Sequence, residues 1–161
     1  MLKSTLFSVS YAGLCVTQGI NSHLDETQAA VLRHKLQFME DWTRKRSELV
    51  QCYDAELAGL PLQRPEIKPK SQASHHLYVV QLDERDKLRK HFESNGIGTQ
   101  LHYPTPLHRQ PAYREQFKGS GVYSNAERAC DRILSLPLYP ELGTEEITVV
   151  CKTVKQCYRG N

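Results

Sequence analysis

From Asn21 onward the chain sets apolar residues into a polar background at helical spacing. Apolar or aromatic side chains recur at Leu24, Leu32, Leu36, Met39, Trp42, Leu49, Tyr53 and Leu57. The steps are threes, fours and their sums, the period of a helix with one covered face. Asp25 or Ser22 can cap the start, and no Gly or Pro interrupts residues 22–58. Gly59 and then Pro61 stop the pattern, as a C-terminal glycine and a following proline do. The spacing predicts one helix over residues 24–58, roughly 50 Å long at ~1.5 Å per residue. A domain of this size is narrower than that, so the helix needs cover beyond the chain's own core.

The pattern then changes. Residues 60–73, LPLQRPEIKPKSQA, are rich in proline and polar side chains and read as an extended connector. HHLYVVQL (75–82) reads as a buried strand. Asp83 or Asp86 opens a helix through Leu88 and Phe92 that Asn95-Gly96 ends. Ile97 to His102 reads as a second strand, and HYPTPLHRQPAY (102–113) as an irregular segment turning into a short helix. A helix over Asn125–Asp131 follows, then a short strand over Ile133–Leu136 closed by Pro137. Thr144 is placed to cap a last helix, with Glu145 and Glu146 in its first turn, where the macrodipole favours acids. Ile147, Val150, Val154 and Tyr158 share one face of it.

The expected fold class is α/β of the α+β type. It comprises a long N-terminal helix and a small three- to four-stranded sheet with helices on one face. The expected divisions are an N-terminal segment of unclear role (1–20), the long helix (21–59), the connector (60–74) and a small α/β domain (75–158).

Composition narrows the function only slightly. Leu, Ile, Val and Phe make 38 of 161 residues, above the level at which disorder sets in. A net charge of +3 gives no reason to invoke nucleic acid, and no stretch is apolar enough to span a bilayer. The five cysteines include no C-x-x-C pair, which argues against a disulfide framework or a cysteine zinc site and for a reducing, cytoplasmic setting. The opening MLKSTLFSVSYAGLCV is too broken by serines for a secretory signal, and it lacks an A-x-A cleavage site. His75-His76 is no metal pair, because adjacent strand residues face opposite sides.

Three stretches together resemble one family. GINSHLDETQAAVLRHKLQFMEDWTRKRSELVQCYDAEL is similar to the domain-joining helix of the PLP-dependent sugar aminotransferases of the DegT/DnrJ/EryC1/StrS type. HHLYVVQLDERDKLRKHFESNGIGTQLHYPTPLHRQPAY resembles their small C-terminal domain, and ILSLPLYPELGTEEITVVCKTVKQ its closing strand and helix. In such enzymes a large domain supplies the Schiff-base lysine and an acidic partner for the pyridinium nitrogen. Neither stands before Asn21 in the expected arrangement; Lys3 is too near and has no Gly-rich follower.

The resemblance therefore implies a stand-alone small domain, catalytically incompetent by itself and acting in binding or self-association. Alternatives are a piece of an active PLP-dependent aminotransferase on nucleotide-linked keto-sugars, or a regulatory or dimerisation partner of one. No cofactor is expected on this chain alone. By the same resemblance Asn21 would reach the cofactor phosphate in trans, although an Asn before a helix is also an ordinary cap. At His23 the family carries a permanent cation instead. His102, Tyr103, His108, Gln110 and Tyr113 would line the wall that takes a nucleotide sugar, or simply pack the small domain. The expected partners are a second copy of the chain, or a complete aminotransferase or its large domain. The apolar N-terminal residues Leu6, Phe7, Val9 and Tyr11 would supply part of the cover.

Overall fold

The computed structural model describes residues 9–10, 14–15, 25–119 and 121–159. In chain order the elements are β1 (Val9–Ser10), β2 (Leu14–Cys15), α1 (Glu26–Leu36), α2 (Met39–Glu56), β3 (Tyr78–Gln81), α3 (Arg85–Ser94), α4 (Ser124–Arg132), β4 (Ile133–Leu136) and α5 (Thr144–Arg159). Two 3₁₀ turns, Leu107–Arg109 and Pro111–Tyr113, precede α4. The chain divides into two compact units: Arg33–His102 with Arg132–Asn161, and Met1–Leu32 with Tyr103–Asp131. Residues 103–131 group with the second unit.

The first unit holds the core. β3 and β4 pair antiparallel, with Tyr78 opposite Leu136 and Val80 opposite Leu134. These four side chains are buried on one face of the sheet. Against them lie Leu49, Val50 and Tyr53 of α2, Leu88 and Phe92 of α3, and Ile147, Val150, Cys151 and Val154 of α5. The α5 residues follow the 3.6-residue period of an amphipathic helix. Tyr53 is completely buried; its ring stacks on Tyr78 at 4.5 Å and its hydroxyl donates to the Pro137 carbonyl at 2.9 Å.

The sheet is smaller than the sequence suggests. Gln63 bridges Gln81 on one side, and Gln100 bridges Ser135 on the other. Four segments therefore lie side by side, of which two are strands. The second strand expected at 97–102 is reduced to that one bridge at Gln100. Gly98 weakens a strand interior and Pro104 ends the extended run.

The expected single helix is two. Gln37 and Phe38 stand outside the helical ladder: the Phe38 N–H closes on the Lys35 carbonyl at 3.0 Å, and the Phe38 carbonyl accepts the Trp42 N–H that starts α2. The Gln37 side-chain amide donates to the His34 carbonyl at 2.8 Å, giving that oxygen a partner other than the next helical N–H. His34, Phe38 and Trp42 form a ring ladder across the break, with centroids 5.5 and 5.8 Å apart. No Gly or Pro marks this position, so the apolar period runs through it unchanged.

Caps follow the sequence in two places and depart from it at the starts of α3 and α5; α3 opens at Arg85 after Glu84, with no side-chain cap from Asp83 or Asp86. The Asp25 carboxylate accepts the Thr27 N–H at 2.8 Å and the Gln28 N–H at 3.4 Å. These bonds, the Thr27 one first, hold its pKa below the usual carboxylate value. After α3, Asn95 is the cap and Gly96 takes a φ of +71°, a conformation that suits glycine. At α5, Thr144 is already helical. Gly143 precedes the helix, and its N–H donates to the Glu146 carboxylate at 2.7 Å, half of a capping box. Asn21, Ser22, His23, Leu24 and most of the N-terminal segment lie outside the described residues.

Candidate functional site

The tract from His102 to Tyr113 is shaped by Pro104, Pro106 and Pro111, which remove backbone donors and leave room only for tight 3₁₀ turns. The candidate residues in it divide by what they touch. His102 belongs to the first unit, where its Nδ1 hydrogen-bonds the buried Ser135 Oγ of β4 at 3.0 Å. Gln110 is buried and spends both ends of its amide internally. Its oxygen accepts the Cys15 N–H at 2.7 Å, and its nitrogen donates to the Thr105 carbonyl at 3.3 Å. It ties β2 to the loop. Tyr113 is half-buried and its N–H closes on the Gln110 carbonyl at 3.0 Å. Tyr103, in contrast, is largely exposed.

His108 is the centre of a cluster. Its Nε2 lies 2.9 Å from Glu127 Oε1, its ring stacks on Tyr123 at 4.7 Å, and the edge of Phe117 meets it at 6.5 Å. Phe117 and Tyr123 in turn meet at 90°. Arg109 reaches the same Glu127 oxygen at 2.9 Å. Tyr123 and Glu127 are four residues apart at the start of α4, so one helical face presents both the aromatic ring and the carboxylate. The His108 hydrogen bond is the chief cause holding the Glu127 carboxyl below the usual range. The charge of Arg109 adds to it, and partial burial opposes both.

Arg109, Phe117, Tyr123 and Glu127 join His108 in this cluster without having stood out in the sequence. The only local signal was the i,i+4 pairing of Tyr123 with Glu127, and its partner lies 15 to 19 residues upstream, beyond any helical or strand period.

A second polar group lies in the first unit. Asp54 accepts from Arg64 at 2.7 Å and from the Tyr78 hydroxyl at 2.9 Å. Burial, followed by the nearby Asp54, pushes the Tyr78 pKa up. These residues line a cleft of about 390 Å³ with His75, held at a φ of +47°, and His76. Among the described residues no three metal-ligating side chains gather, and no helix is long and apolar enough to cross a membrane.

A Schiff-base cofactor needs a lysine amine inside a walled pocket. Here every described lysine except Lys155 is exposed, and Lys155 is ion-paired with Glu56 at 2.6 Å. The described residues do not, by themselves, fit PLP.

Comparison with known proteins places this arrangement. Residues 6–155 match the pattern of the DegT/DnrJ/EryC1/StrS aminotransferase family. The chain is 40% identical over 139 residues to the erythromycin biosynthesis sensory transduction protein EryC1 of Saccharopolyspora erythraea, covering 86% of this chain and 38% of that protein. It is 40% identical over 141 residues to the dTDP-3-amino-3,4,6-trideoxy-alpha-D-glucose transaminase of Streptomyces venezuelae, covering 87% and 37%. Among solved structures, S. venezuelae DesV in complex with a ketimine intermediate superposes with a TM-score of 0.79 at 40% identity, over 87% of this chain and 38% of that one. A DegT/DnrJ/EryC1/StrS aminotransferase from Brucella abortus gives 0.75 at 29%, over 92% and 39%. The chain thus spans under two-fifths of the length of these relatives, and within that span both its sequence and its helix-and-sheet fold follow theirs. It belongs to the DegT/DnrJ/EryC1/StrS aminotransferase family.

Proposed function

We propose that this chain supplies the small-domain wall of a sugar aminotransferase site and does not transaminate by itself. One observation carries the reading: a match along residues 6–155 that accounts for only 37–38% of relatives such as a dTDP-amino-sugar transaminase. PLP, in enzymes that hold it, supplies an electron sink for moving a proton at the amine-bearing carbon. The described residues offer no sheltered lysine for it. Their contribution is a pre-ordered surface, the prolines and the Glu127 cluster holding His108 and the 3₁₀ turns in one geometry. The ligand class this surface suits is a nucleotide-linked sugar, to which imidazole and phenol groups offer hydrogen bonds and stacking faces.

PLP added to the purified chain tests the reading. The expected result is no aldimine absorbance and no borohydride-stable adduct. A single modified lysine together with turnover of an amino donor and a keto-sugar would overturn it.

Assembly follows from the exposed side of the long helical arm. Leu36, Phe38 and Met39 are all exposed, and exposed apolar surface of this kind marks interaction sites. A second copy of the chain is the proposed cover, since symmetric pairing is the commonest route. The large domain of an aminotransferase is the alternative. Light scattering at micromolar concentration decides: a monomer there ends the homodimer reading.

A further inference from the structure

We propose that Glu127 is a positioning residue that fixes both the ring plane and the tautomer of His108, and so determines which imidazole nitrogen this surface can offer to a ligand. The ligand clause rests on the wall reading above; the positioning does not.

Three nitrogens converge on one oxygen. His108 Nε2, Arg109 Nε and Arg109 Nη2 each lie 2.9 Å from Glu127 Oε1. They do not constrain it equally. The Arg109 side chain is 62% exposed and that of His108 15% exposed. An ion pair open to water is screened and loosely held, whereas a hydrogen bond made by an enclosed ring is not. The imidazole bond is therefore the one that sets geometry. An ionised carboxylate can only accept, so Nε2 must carry the proton. The opposite nitrogen is then defined by that bond, as the partner of one ring nitrogen fixes the state of the other.

Rotation about the ring axis is restricted as well. Tyr123 lies against one face at an interplanar angle of 30°, and Phe117 abuts at 72°. The first turn of α4 supplies Glu127, and the residue before that helix supplies Tyr123. Among the described residues Nδ1 makes no hydrogen bond. In the neutral ring it carries a lone pair, which suits a hydroxyl donor such as that of a sugar.

Nuclear magnetic resonance on the ¹⁵N-labelled chain tests this. The wild type should show a slowly exchanging His108 Nε2–H proton. Glu127→Ala should lose it, while Glu127→Gln, whose amide oxygen still accepts, and Arg109→Ala should keep it. Circular dichroism melts establish that each variant folds; should Glu127→Ala fail to fold, retention in Glu127→Gln and Arg109→Ala still supports the assignment, and its loss in both overturns it. A proton on Nδ1 in the wild type, or an Nε2–H that survives in a folded Glu127→Ala, also overturns it.

Titration with a dTDP-linked hexose forms a separate arm. Binding that moves the His108 nitrogens, and weakens on the order of tenfold in Glu127→Ala, supports the ligand clause. No binding by the wild type overturns the wall reading, and the ring-proton pattern alone then decides the role of Glu127.

Discussion

The two halves of the helical arm carry the same apolar period and end differently. In the C-terminal half Leu49, Val50, Tyr53 and Leu57 are buried against β3, β4 and α5. In the N-terminal half α1 has no buried residue, and Val31, Leu32 and Leu36 face outward. The period therefore identifies which face is apolar, and only the neighbouring elements determine whether it is covered. The break at Gln37–Phe38 falls between the two regimes.

The largest effect should come from the covered half. Tyr53→Ala removes a fully buried ring and is expected to cost about 3–5 kcal/mol in urea unfolding. A loss under about 1 kcal/mol would show that the stacked pair with Tyr78 does not organise the core. Next is Gly96→Ala at the end of α3. Its φ of +71° should cost an L residue about 1–2 kcal/mol, although an added Cβ would meet open space. An unchanged melt would mean that the backbone relaxes there.

Acid stability separates the second unit from the core. Glu127 has a folded pKa depressed below its ordinary 4.5. The stability it contributes is complete above that ordinary value and is lost as pH falls through the folded one. In His108→Ala the carboxyl ¹³C titration of Glu127 should move up toward 4.5, and that acid-side loss should shrink. A titration that stays put would mean Arg109 carries the interaction. The smallest effect is expected in the uncovered half. Leu36→Ala should change unfolding by no more than about 0.5 kcal/mol, while shifting the association seen by light scattering. A loss comparable to that of Tyr53→Ala would erase the contrast.

What the sequence made legible was mostly local chemistry. Asp25, Asn95-Gly96 and Pro137 each act within a few residues, and each stands where its side chain or ring dictates. Ile147, Val150 and Val154 showed their face because a helix repeats it. The misses are of another kind. Gln37 breaks the helix through a side-chain amide that any helix position tolerates. Gln110 meets the Cys15 backbone 95 positions away in sequence, a contact that no local pattern encodes. Glu127 had no visible role because its partner approaches through a proline-shaped loop, whose path no periodicity encodes.

The single-residue bridge at Gln63 has a consequence for aggregation. In an antiparallel ladder alternate residues turn their backbone groups toward the same neighbour, so lengthening the Gln63–Gln81 pair would need the N–H groups of residues 61 and 65 next. Both are prolines and have no N–H to donate. The strap therefore cannot lengthen into a full strand by zipping in either direction, and it occupies the edge of β3 without offering a long template in turn. Exposed edges recruit other chains into fibrils; here two pyrrolidine rings end the ladder after one pair.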